Sequence, residues 1–112
     1  MNNIVIRGAV VSPREVEEFL FRHPKVLDVQ VVGVPDPQHG EALCACIVLR
    51  PGRSATAQEM RAFCRGEIAH GKVPRYVRFV DGFPLTVMGT VQKFVLRERM
   101  AAELRLLEWV SA

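Results

Sequence analysis

At 112 residues, 49% apolar and 24% charged, the chain has room for one domain that buries about two-thirds of its unfolded surface. A net charge of +3, scattered along the sequence and accompanied by no nucleic-acid-binding motif, excludes a nucleic-acid partner. No apolar run approaches the ~20 residues needed to span a bilayer, and the first residues lack the apolar stretch of a signal peptide, so no membrane span and a cytoplasmic location are expected.

Ile4-Val5-Ile6 is a β-branched run followed by Gly8 and predicts a short strand. Ser12-Pro13-x-Glu15 predicts a helix start, with Ser12 as N-cap, Pro13 in the first helical position and Glu15 as the reciprocal capping group. Val16, Phe19, Leu20 and His23 follow at helical spacing until Pro24. Residues 26–34 alternate, with Val29, Val31 and Gly33 on one face and Asp28, Gln30 and Val32 on the other, and Pro35-Asp36-Pro37 is expected to end that strand. Residues 42–49 are apolar throughout, as in a strand covered on both faces. Thr56, with Glu59 three residues on, predicts a second capping box. Met60, Phe63, Cys64, Ile68 and Ala69 make the apolar stripe of a helix that Gly71 ends. A short strand over 77–80 and a loop over 82–89 come next. A final helix over 93–107 carries Phe94, Leu96, Met100, Leu104 and Leu107 as its apolar positions, with Trp109 near the frayed end. The sum is an α+β fold in a single domain, 1–112: a small, mostly antiparallel three-stranded sheet packed with about three helices, plus short extra strands.

Cys44 and Cys46 lie two apart in an apolar strand, so both point to one face, and with Cys64 they read as buried free thiols of a reducing compartment. His23, His39 and His70 have no cysteine or carboxylate at ligand spacing, so loop or cap roles are expected and no metal. No nucleophile elbow, phosphate-binding loop or dinucleotide fingerprint is present. Arg61, Arg65, Lys72, Arg75 and Arg78 form the densest basic stretch. It fits either solvated faces or a docking surface for an anionic partner such as the phosphates of coenzyme A.

Pro84-Leu85-Thr86-Val87-Met88-Gly89-Thr90-Val91-Gln92-Lys93 matches the pattern P-x-T-x-x-G-K-[IV]-x-[KR] at Pro84, Thr86, Gly89, Val91 and Lys93. Asn3-Ile4-Val5-Ile6-Arg7-Gly8 parallels D-M-I-I-R-G, and Pro13-Arg14-Glu15-Val16-Glu17-Glu18 parallels P-x-E-I-E-x. Val31-Val32-Gly33-Val34-Pro35-Asp36 with Gly40-Glu41 parallels V-V-G-[VI]-P-D and G-E, and Lys72-Val73-Pro74-Arg75 parallels K-[VY]-P-x. In this order and spacing, over nearly the whole chain, the segments resemble the C-terminal domain of the adenylate-forming (AMP-binding) superfamily, acyl-CoA synthetase branch.

The resemblance implies a lid that turns on a hinge between an adenylating and a thioester-forming pose. ATP with magnesium and coenzyme A are the parent family's ligands, and a large N-terminal adenylation domain is the partner, in cis or in trans. This chain alone is expected to bind none of them, or coenzyme A weakly. In the family the lysine after the loop glycine reaches the carboxylate and α-phosphate; here that position is Thr90, which is short and uncharged. Lys93 is a possible substitute, but lies about one helical turn further and is expected to point elsewhere. The second face is carried by Arg7 and Gly8. The segment 9–13 that follows is one residue shorter than the family's loop and lacks its polar groups, and Ala9 replaces a second glycine. By the resemblance, Arg7, Gly8, Lys72, Arg75 and Gly89 make up the cofactor-facing set. Three readings result. One is the lid domain of an AMP-forming fatty-acid or carboxylic-acid–CoA ligase, inactive alone. Another is a stand-alone interaction module that pairs with a separate large-domain chain or with itself as a homodimer. The third is a small-ligand binder that grips coenzyme A weakly through Arg7, Lys72 and Arg75.

Overall fold

The computed structural model describes residues 3–38 and 40–111, with side chains through residue 107. His39 and the Trp109 side chain, for which a loop and a frayed end are expected, lie outside the described residues. The elements run β1 (Ile4–Ile6), β2 (Ala9–Val11), α1 (Pro13–Leu20), β3 (Val26–Asp36), β4 (Gly40–Leu49), α2 (Ala57–Cys64), β5 (Tyr76–Phe79) and α3 (Lys93–Ser111), with a single 3-10 turn at His70–Lys72. The α+β class stands, and the sheet has five strands. The additional strand is β2, in a segment expected to be loop. Arg7 and Gly8 both adopt positive φ, 50° and 81°, and that two-residue turn folds Ala9–Val11 back on Ile4–Ile6.

The sheet is built on the β3–β4 hairpin, whose antiparallel register runs from Val26↔Leu49 to Asp36↔Gly40. β1 adds antiparallel at the start of β4, through Ile6↔Gly40, and β5 adds parallel at Cys44↔Tyr76 to Ile47↔Phe79. β3 is therefore an edge strand. It continues through Pro35 and Asp36, where a proline cluster was expected to end it. Pro35 shares the parity of Val31 and Gly33, whose backbone groups face away from β4, so its missing N–H falls on the open edge, where proline is tolerated.

Alternation along the two long strands sorts the core into two layers. Val29, Val31, Leu43, Ala45 and Ile47 meet Val16 and Leu20 of α1 and Met60 and Cys64 of α2. Val32, Val34, Ala42, Cys44 and Cys46 meet Leu96 and Met100 of α3. Cys44 and Cys46 thus share one face, as their spacing requires, and all three cysteines are free and buried. A thiol–thiol hydrogen bond with Cys46 and burial push the Cys44 thiol upward, and burial pushes Cys64 up to about 11. These are inert packing thiols.

Three local expectations need correction. Ser12 occupies the N-cap of α1, but its side chain accepts no capping hydrogen bond, and the Glu15 carboxylate pairs with Lys72 at 2.7 Å. In α2, Thr56 Oγ1 does accept from the Glu59 amide at 3.1 Å, but the helix stops at Cys64. Arg65 is extended and Gly66 takes φ +81°, so Ile68 and Ala69 fall outside the stripe. In α3, Leu96 and Met100 are buried, whereas Phe94 is 67% exposed and Leu107 44% exposed. Phe94 lies about 200° around the helix from Leu96, and so faces away from the sheet.

Candidate functional site

The loop between β5 and α3 is closed by its own backbone. The Gln92 amide donates to the Pro84 carbonyl at 2.8 Å, the Thr86 amide to the Thr90 carbonyl at 2.8 Å, and the Gly89 amide to the Thr86 carbonyl at 2.9 Å. Thr86 Oγ1 accepts from the Thr90 amide at 3.1 Å. Leu85 and Val91 pair across the base. Gly89 has φ +88°, a conformation that side chains disfavour, which is the physical need for glycine there. The result is a tight, self-supporting turn with Thr90 exposed beside it. At its tip Val87 and Met88 are almost wholly exposed, at 105% and 90%.

Lys93, the first residue of α3, is held inside the domain. Its Nζ donates to Glu17 Oε2 of α1 and, at 2.9 Å, to the Val31 carbonyl of β3. Four residues on, and so on the same helix face, Arg97 Nε donates to the Gly33 carbonyl at 2.6 Å. Its Nη2 lies 3.4 Å from Glu41 Oε2, and Glu41 Oε1 accepts the Val5 amide at 3.1 Å. Lys93, Arg97, Glu41, Val31 and Gly33 line a cleft of about 360 Å³ with Asn3, Ile4 and Phe94. Glu17 and Glu41 were read only as members of matching segments, and Arg97 was not picked out by sequence reasoning. The available signal was the i, i+4 spacing of Lys93 and Arg97, together with a second glutamate in Pro13-x-Glu15-x-Glu17 that helix capping does not use.

The other expected groups do not converge on the loop. Arg7 and Gly8 form the hairpin turn between β1 and β2, and Ala9 begins β2, so the left-handed backbone there is taken up by Arg7 and Gly8 and not by Ala9. Lys72 pairs with Glu15 of α1. Arg75 lies 3.3 Å from the buried Asp36 carboxylate and stacks over Tyr76. Arg78 pairs with Glu103 at 3.2 Å. Arg61 donates to the Arg75 carbonyl at 3.3 Å, and these three arginines line a second cleft with Tyr76 and Leu104. Lys72, Arg75 and Arg78 are thus divided among separate acidic partners.

His23 is buried at the end of α1, where its Nδ1 accepts the Lys25 amide at 3.1 Å, so the proton sits on Nε2, 3.4 Å from Glu59. A hydrogen bond from Lys25 and the charge of its ammonium hold the Glu59 carboxyl below its ordinary value. His23 therefore has the cap role expected of it. Among the described residues, no group of three or more histidine, cysteine or carboxylate side chains is arranged to hold a metal ion. None of the described helices is long and apolar enough to cross a membrane.

A five-stranded sheet with α1 and α2 on one face and α3 on the other, preceded by a glycine turn at the root of α3, is the architecture of a known class. The chain belongs to the AMP-binding enzyme C-terminal domain family, whose pattern matches residues 15–90. It is 50% identical over 105 residues to the mouse medium-chain acyl-CoA ligase ACSF2, mitochondrial, covering 93% of this chain and 17% of the relative. It is 51% identical over 100 residues to the putative acyl-CoA synthetase YngI of Bacillus subtilis, covering 88% of this chain and 18% of the relative. The crystal structure of Brucella canis acyl-CoA synthetase superposes with a TM-score of 0.83 at 34% identity, over 92% of this chain and 20% of that one. The chain spans only a small fraction of the length of each of these proteins.

Proposed function

We propose that this domain is the lid of an AMP-forming acyl-CoA synthetase, working against a large adenylation domain that binds ATP and the acyl group. The observation that carries the reading is the 84–92 turn. Its backbone is complete and its apolar tip, Val87 and Met88, is exposed as for a partner surface. In that pose Thr90 stands where the family's loop lysine would meet the carboxylate and α-phosphate. Thr90 brings a hydroxyl and no charge, so adenylation supported by this domain is slow, and the isolated chain catalyses nothing.

Lys93 does not take over the role, because its ammonium is already bound by Glu17 and the Val31 carbonyl. Leaving them would strand a half-buried carboxylate and an edge carbonyl. Thioester formation uses the other face, where the Arg7-Gly8 turn offers backbone to the pantetheine arm of coenzyme A. That turn is intact, but the segment after it is the apolar strand β2.

The test uses a fusion of this domain to the large domain of a related acyl-CoA synthetase. Thr90→Lys is expected to raise the rate of adenylate formation by ~10²–10³-fold, the usual worth of one group acting in the transition state. Thioester formation from a pre-made acyl-adenylate should hardly change. An unchanged adenylation rate in Thr90→Lys, with loss of activity in Lys93→Ala, would reassign the working lysine to Lys93.

A further inference from the structure

Several segments that carry the family resemblance meet along one edge of the sheet. On the outward edge of β3, Asp28 Oδ1 caps the Val29 amide at 2.8 Å and Glu17 Oε2 caps the Val31 amide at 2.7 Å. Lys93 caps the Val31 carbonyl and Arg97 the Gly33 carbonyl. Glu17 comes from α1 on one face of the sheet, and Lys93 and Arg97 come from α3 on the other. The Glu17–Lys93 ion pair therefore passes over the edge and ties the two helical layers together.

A cation as the first residue of a helix faces the positive end of the helix dipole, so the ammonium needs a matching carboxylate, and Glu17 provides it. Lys93 is also the root of the 84–92 loop. Gln92, its neighbour, is bonded to Pro84 at one end of the loop and to the Leu96 amide at the start of the helix. The loop side chains Leu85, Val87 and Met88 are exposed and hold nothing in place. The orientation of the turn is thus inherited from its two ends: Phe83, packed on the core beneath α3, and the root at Lys93.

We infer that Lys93 is a positioning residue: bound to Glu17 and the Val31 carbonyl, it sets the direction in which the turn carrying Thr90 leaves the sheet. The purpose of that turn rests on the lid reading, but the anchoring does not. Amide hydrogen exchange on the full chain tests it without substrate or large domain. Lys93→Met should speed exchange of the Thr86, Gly89, Thr90 and Gln92 amides about ten-fold, as expected for loss of a charge-assisted anchor, and leave the β3–β4 ladder unchanged. Lys93→Arg, which keeps the charge, should restore most of the protection. Unchanged loop amides, or acceleration by one common factor throughout the sheet, would overturn the proposal. If Lys93→Met does not fold, Glu17→Gln keeps the lysine–carbonyl bond and should give the same loop-confined pattern at smaller size; a uniform or absent change there is equally fatal. A failed Thr90→Lys assay would overturn the role given to Thr90 and leave this exchange pattern intact.

Discussion

The turn at 86–90 and the root of α3 are only a few residues apart, yet they are built on opposite principles. The turn satisfies its backbone internally and leaves Val87 and Met88 in solvent. The root directs charged groups at Val31 and Gly33 of an edge strand and carries Leu96 and Met100 into the core. Polar contacts in the second region are used to fix geometry, and apolar side chains in the first are left in solvent. The difference separates what makes the domain stand from what it can present to a partner.

The comparison is sharpest in its largest effect. Leu96 is buried against Val32, Val34 and Cys44, so Leu96→Ala leaves a cavity and should cost about 2–5 kcal/mol in urea unfolding. A loss well under 1 kcal/mol would mean that α3 hardly contributes to the fold. Gly33→Ala is the next largest. A Cβ there would lie 2.6 Å from Glu41 Oε2 and 3.0 Å from Ile4 Cγ2, and Glu41 is held by Arg97 and the Val5 amide. The overpacking should cost about 1–3 kcal/mol, checked by the same unfolding curves. A neutral Gly33→Ala would show that Glu41 can swing away and that the edge contacts are loose. The smallest effect belongs to the turn: Val87→Ser with Met88→Ser should leave stability within about 0.5 kcal/mol. The same pair should weaken association with a large adenylation domain, or self-association seen by sedimentation. A marked loss of stability instead would mean that the tip packs on its own domain.

The alternation over 26–34 and the apolar run over 42–49 were enough to expect the central hairpin, because each residue's face follows from strand parity alone. Cys44 and Cys46 fall on one buried face for the same reason. The two-residue turn that creates β2 was missed, because Arg7 at φ 50° is a conformation that residue type does not announce. The α2 boundary was placed too late because Ile68 continues the helical spacing and still packs on the core, although the chain has already turned at Gly66.

By itself the sequence determined the family, the order of the helices and the two long strands of the central sheet. Each of these depends on residue identity and local spacing. Only the tertiary structure decided where the charges went. Lys72 met Glu15, Arg75 met Asp36, and Lys93 met Glu17 across the edge of β3. Those partners are far apart in the chain, and no local rule pairs them. A charged side chain chooses among distant groups only after the sheet has brought them within hydrogen-bonding reach.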